Sequence, residues 1–161
     1  MLIRQAQVSD FPRILEINTT EEEKTSRIDL ARITQLDSWS DYHRVLAVED
    51  VIVGFLLVMS EASDYDGDNF RWFVERYSRF LYVDRIVIDR TLARRGAGSA
   101  LYADLIKFAA TQSWSTLCCE INVSPPNPVS HAFHAGFGFK EVGRSGTVGA
   151  PKIVSYQVAE I

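Results

Sequence analysis

Cysteine is nearly missing from this chain: two of 161 residues, Cys118 and Cys119. Neighbours on a strand point to opposite faces, so the pair reads as core thiols in a reducing compartment rather than as a disulfide framework. Long basic runs are missing too, and the net charge is −4, which sets aside duplex nucleic acid as a partner. No apolar stretch approaches the ~20 residues of a membrane-spanning helix, and Met1-Leu2-Ile3-Arg4 does not begin a signal peptide. No membrane partner is expected, and the expected location is the cytoplasm. Two phosphate-binding motifs fail. There is no GxxxxGK[ST], and Leu101 stands where the last glycine of GxGxxG belongs. Metal ligands are sparse. His131 and His134 share a helical face without a third ligand for zinc, and Asp64, Asp66 and Asp68 lack the later glycine and glutamate of a calcium loop. No metal is expected.

What is present is an ordinary globular composition, 47% hydrophobic and 24% charged, which suits one domain over residues 1–161. Leu2 to Ala6 reads as a strand. A helix follows, capped by Ser9 or Asp10 with Pro12 in its first turn, and a second helix spans about Ser26 to Leu36. Arg44–Glu49 and Val51–Ser60 form a hairpin in which Gly54 marks a bulge or a close backbone approach. The acidic segment EASDYDGDN is a surface loop. In FRWFVERYSRF the rings Trp72, Phe73 and Tyr77 either fill the core or line an acceptor pocket. Towards the C-terminus, Ser115–Val123 is an apolar strand. Asn127 and Pro128 then open a helix that stops near Gly136, and the strands Phe137–Val142 and Ile153–Val158 flank a glycine-rich hairpin.

The stretch from Phe80 to Ala110 organises the rest. A β-branched strand ends at Asp89, and Arg94-Arg95-Gly96-Ala97-Gly98 leads into a helix beginning near Ser99. Amides in the first turn of a helix have no internal partners, and the helix dipole adds positive potential there, so such a turn suits an anion. Gly96 and Gly98 allow close backbone approach, and Arg94 and Arg95 add permanent charge. Regular alternation along the strand puts Tyr82, Asp84, Ile86 and Ile88 on one face and Arg85 on the other. Asp84 is then a candidate base, or one half of a salt bridge made elsewhere.

Ala93-Arg94-Arg95-Gly96-Ala97-Gly98 resembles the acetyl-CoA motif [QR]xxGx[GA] of the GNAT superfamily of acyltransferases, with Ile88 at the strand end eight positions before Gly96. The segment Asn127 to Phe139 resembles that family's NxxAxxxYxxxGF, with Asn127, Gly138 and Phe139 in register. Ala93 replaces the usual Gln or Arg, and His134 replaces the tyrosine. The resemblance implies an α/β (α+β) fold with a mixed, mostly antiparallel sheet of six to seven strands and about four helices. It implies acetyl-CoA as co-substrate, bound by Ile86, Val87, Ile88, Arg94, Arg95, Gly96, Ala97, Gly98, Ser99 and Asn127.

The implied activity is acetyl transfer to a primary amine of a small molecule or protein by direct attack in a ternary complex. Asp84 is expected to take the ammonium proton, amides near Ile88 to polarise the thioester, and His134 to protonate the leaving thiolate. Glu21 to Lys24, Asp64 to Tyr77 and the hairpin near Thr147 are expected to rim the acceptor, and a homodimer is possible. The departures at Ala93 and His134 leave a second reading open, a CoA-binding sensor or interaction module without turnover.

Overall fold

The computed structural model describes residues 1–21, 25–92, 95–146 and 150–161. The chain runs β1 (Leu2–Gln5), α1 (Phe11–Thr19), α2 (Leu30–Trp39), β2 (Tyr42–Val48), β3 (Val51–Ser60), α3 (Asp68–Val74), β4 (Leu81–Ile88), α4 (Ala97–Thr111), β5 (Thr116–Ser124), α5 (Pro128–Ala135), β6 (Lys140–Ser145) and β7 (Ile153–Glu160). The strands form one sheet in the order β1-β2-β3-β4-β5-β7-β6. Every neighbouring pair is antiparallel except β4 with β5. This is the expected mixed sheet, with five α-helices among the described residues.

Each face of the sheet is covered because each covering helix carries an apolar stripe. On one face Leu101, Tyr102 and Leu105 of α4 pack on Leu81 and Val83. On the other, Ile14, Ile17 and Ile33 of α1 and α2 meet Phe55 and Val87, while Phe70 and Phe73 of α3 meet Tyr82 and Tyr156. Full burial of each such side chain contributes about 1.5–3 kcal/mol. Trp72 stacks on Tyr156 at 4.1 Å and fills the space a Cβ on Gly143 would need, 2.7 Å away. The rings of α3 are therefore core and packing rings.

Several boundaries differ from expectation for local reasons. Helix α2 starts at Leu30 rather than Ser26, because Asp29 caps it by accepting from the Arg32 amide at 2.7 Å. Asp10 caps no backbone amide of α1; it pairs with Arg4 at 2.7 Å and accepts from the Gln7 amide. Gly54 meets both expectations: a Cβ there would lie 2.6 Å from Ile88 Cδ1, and the β2–β3 register steps from Leu46↔Gly54 to Ala47↔Ile52, a bulge at the adjoining Val53.

The central strand corrects the expected alternation. The β3–β4 register steps from Leu57↔Arg85 to Val58↔Val83, which leaves Asp84 as the extra residue of a β-bulge. Leu81, Val83, Ile86 and Ile88 therefore face α4, whereas Tyr82 and Val87 face the α1–α3 side. Asp84 and Arg85, consecutive residues, lie on that same side and pair, with Arg85 Nε 2.7 Å from Asp84 Oδ2. Asp84 does not share a face with Ile86 and Ile88, and Arg85 does not point away from it.

Candidate functional site

The bulge is followed by a parting of the sheet. Strands β4 and β5 pair through Leu81–Leu117 and Tyr82–Cys118, and beyond these residues a cavity of about 850 Å³ opens between them. On its β4 wall, backbone groups are left facing the opening. Asp89 donates its amide to Val53 on β3 at 2.7 Å, so by strand alternation the amides of Ile88 and Ile86 turn the other way, into the cleft.

On the α4 side the cavity is walled by Arg95, Gly96, Ala97, Gly98 and Ser99. Gly96 has φ +89° and open space where a Cβ would stand. It is the residue before the helix, and the left-handed conformation there is one that glycine adopts without the usual steric cost. The first backbone bond of α4 runs from the Ala100 amide to the Gly96 carbonyl at 2.9 Å, so the earlier amides are free for an anion. Gly98 has a different reason to be glycine, since a Cβ would sit 3.2 Å from the Phe133 ring of α5. Asn127 caps α5, its Oδ1 accepting from the Ser130 amide at 3.4 Å, which leaves its amide NH2 for a ligand in the cavity it lines. This side fits the pyrophosphate and pantetheine arm of CoA. Arg94 lies outside the described residues.

On the other face the cavity floor carries a residue that the sequence pattern hides. Glu120 of β5 receives the Tyr82 hydroxyl at 2.5 Å and lines the cavity. Burial pushes its carboxyl up to about 7, and the charge of Asp84 adds in the same direction against the hydrogen bonds from Tyr82 and Asn69. The signal for it was present: Glu120 is the one ionisable carboxylate within the apolar strand STLCCEINV. Asp84 is committed elsewhere, accepting from the Tyr65 hydroxyl at 2.6 Å as well as from Arg85.

His134 is buried, with 4% of its surface exposed, and both ring nitrogens are engaged. Nδ1 lies 2.8 Å from the Ser130 carbonyl oxygen. A carbonyl only accepts, so Nδ1 carries the hydrogen and Nε2 accepts from the Tyr102 hydroxyl at 2.8 Å. Burial holds its pKa below the ordinary histidine value. The Nδ1–H is spent on Ser130. His131 bonds separately to the Asn122 carbonyl at 3.1 Å, and among the described residues no group of three His, Cys, Asp or Glu is placed to hold a metal.

Of the expected acceptor rim, Glu21, Tyr65, Gly67, Asp68 and Asn69 line the cavity. Residues 22–24 and Thr147 lie outside the described residues, and no described helix is long and apolar enough to cross a membrane.

A parted sheet with the free amides of a helix N-terminus on one side and a buried carboxyl on the other can hold an anionic ligand and take up a proton beside it. The family is definite: the acetyltransferase (GNAT) family matches residues 5–139, and the chain belongs to it, which makes it an acetyl-CoA-dependent acyltransferase. Among solved structures it is similar to a ribosomal-protein-alanine N-acetyltransferase from Brucella melitensis, at 21% identity over 100% of each chain with a TM-score of 0.73. It is also similar to Naa20 from Chaetomium thermophilum in complex with a bisubstrate analogue, at 13% identity over 100% of this chain and 87% of that one, TM-score 0.78. A third is Arabidopsis thaliana Naa50 in complex with the bisubstrate analogue CoA-Ac-MVNAL, at 12% identity over 99% and 98%, TM-score 0.75. At these identities the likeness speaks for the fold. Among curated protein sequences none matches significantly.

Proposed function

We propose that the chain moves an acetyl group from acetyl-CoA to a primary amine of a small molecule or protein by direct attack in a ternary complex, with Glu120 rather than Asp84 as the base. The observation that carries this reading is the placement of Glu120, titrating at about 7, on the floor of the cleft whose opposite side presents the α4 amides.

The chemistry follows from the residues. Glu120 is partly ionised at neutral pH and takes a proton from the acceptor's ammonium, leaving a neutral amine. The amine attacks the thioester carbon while the amides of Ile88 and Ile86 hold the developing oxyanion. The C–S bond breaks, and one of the two protons left on nitrogen passes to the thiolate, giving the amide and free CoA thiol. A thiol with a pKa near ~8.5 leaves without a dedicated donor, so His134, with its N–H on Ser130, is not required as an acid. Its role is to tie Tyr102 of α4 to α5 beside the cofactor side. Holding both substrates in one cleft supplies a further share of the rate.

The free buried thiols Cys118 and Cys119 support a cytoplasmic setting. The test is mass-resolved acetyl transfer from acetyl-CoA to a panel of polyamines, amino acids, aminoglycosides and peptides with free N-termini. Acetylation of one class that Glu120→Gln slows by about 10²–10⁴-fold is the expected result. Turnover that survives Glu120→Gln with an unchanged pH profile would refute Glu120 as the base.

A further inference from the structure

We propose that the buried Asp84–Arg85 pair is a positioning clamp: it fastens the two acceptor-side loops to β4 and thereby sets acceptor binding rather than proton transfer. Only the identity of what those loops bind rests on the acetyl-transfer reading.

The bulge is the starting point. In a regular strand Asp84 and Arg85 would point to opposite faces; here both lie on the acceptor side, with 3% and 5% of their side chains exposed. Burying an ion pair is a poor route to stability, because desolvation offsets most of the attraction. What the pair does instead is visible in its remaining bonds. Arg85 reaches the loop between α1 and α2, donating to the Ser26 carbonyl at 2.9 Å and to Ser26 Oγ at 3.0 Å, and the end of α1 through Asn18 Oδ1 at 3.2 Å. Asn18 itself donates to the Ser26 carbonyl at 3.1 Å. Asp84 reaches the loop between β3 and α3 through the Tyr65 hydroxyl. Tyr65 is seated among Trp39, Phe70 and Tyr82. Ser26, Tyr65, Asp84 and Arg85 all line the cavity. Two loops distant in sequence are thus joined at one point on β4 beside the cleft floor. Only a guanidinium has the fork to serve Asp84 and Ser26 together.

The experiment uses the full chain and three variants. Tyr65→Phe removes one hydroxyl and keeps the ring. Arg85→Lys keeps the charge beside Asp84 and loses the fork. Ser26→Ala removes one acceptor and leaves the ion pair intact, so it remains informative if Arg85→Lys does not fold. Hydrogen exchange is read first because it needs no turnover. We expect faster exchange at residues 25–29 in Arg85→Lys and Ser26→Ala, and at 61–67 in Tyr65→Phe, with α4 unchanged. Steady-state kinetics then use the panel amine acetylated fastest. The acceptor KM is expected to rise about tenfold in Arg85→Lys, the worth of a lost charge-assisted contact, with kcat and the acetyl-CoA dissociation constant within about twofold.

Unchanged exchange in both loops overturns the proposal whether or not the chain acetylates any amine. Acceleration spread over the whole sheet also overturns it, since the pair would then serve general stability. A fall in kcat at constant KM returns Asp84 to the chemistry and does the same.

Discussion

Glu120 sits where folding and catalysis ask opposite things of a carboxyl. Its pKa in the fold is about 7 against an ordinary 4.5, so the folded state binds its proton more tightly than the unfolded chain does. The stability this gives is fully present below about pH 4 and is lost as pH rises through 7. By pH 8 the ionised group costs about 3 kcal/mol, from 1.36 kcal/mol per pKa unit. Glu120→Gln should therefore match the parent near pH 4 and exceed it at pH 8, which urea unfolding at the two pH values measures. The catalytic expectation has the reverse sign. Only the ionised form accepts a proton, so kcat/KM should climb with pH through a single ionisation near 7. In Glu120→Gln that limb should vanish and the rate should fall about 10²–10⁴-fold, the usual worth of a general base. A variant that is more stable and less active at pH 8 would show both halves of the argument in one molecule.

At the scale of elements, the proposed anion site at the start of α4 depends on the helix's first residues. Gly96→Ala meets no atom, so its cost is the left-handed backbone alone, about 1 kcal/mol, together with weaker acetyl-CoA binding as the turn relaxes. Isothermal calorimetry and denaturant unfolding separate the two effects. Asn127→Ala removes the α5 cap and should cost about 1 kcal/mol, with a raised KM for acetyl-CoA and an unchanged acceptor KM. These elements were legible in the sequence because their signals are local: glycines before a helix, Asn-Pro at a cap, β-branched runs. The bulge at Asp84 was not, because period-two reasoning assumes that no residue is skipped, and the skip is set by pairing with Leu57 and Val58 on a different strand, β3. Glu120 was missed for a related reason. In sequence it is one polar residue in an apolar strand, and only the fold buries it, which raises its pKa, and brings Tyr82 and Asp84 beside it. His134 could be picked out of the sequence as a candidate acid, but its partners Ser130 and Tyr102, which consume both nitrogens, come from the packing of α5 on α4.

For the whole molecule, the cleft divides the sheet into β1–β4 and β5–β7, and among the described residues two pairs, Leu81–Leu117 and Tyr82–Cys118, join the halves along the ladder. A ligand seated between them touches both, from Ile86 and Ile88 on one side to Asn127 and Phe133 on the other. Binding restricted to the folded state adds RT ln(1 + [L]/Kd), about 2.7 kcal/mol at a hundredfold excess over Kd. For a chain of this length each kcal/mol moves Tm by about 2–4 °C, so acetyl-CoA should raise Tm by about 5–11 °C in a thermal scan. The control is Gly98→Val. Its side chain would meet Phe133 from 3.2 Å at the Cβ alone and fill part of the cavity that Gly98 and Phe133 line, without touching Glu120. That variant should lose most of the acetyl-CoA shift. If instead it keeps the full shift, the ligand is held somewhere other than the wedge between α4 and α5, and the two halves of the sheet are not what acetyl-CoA joins.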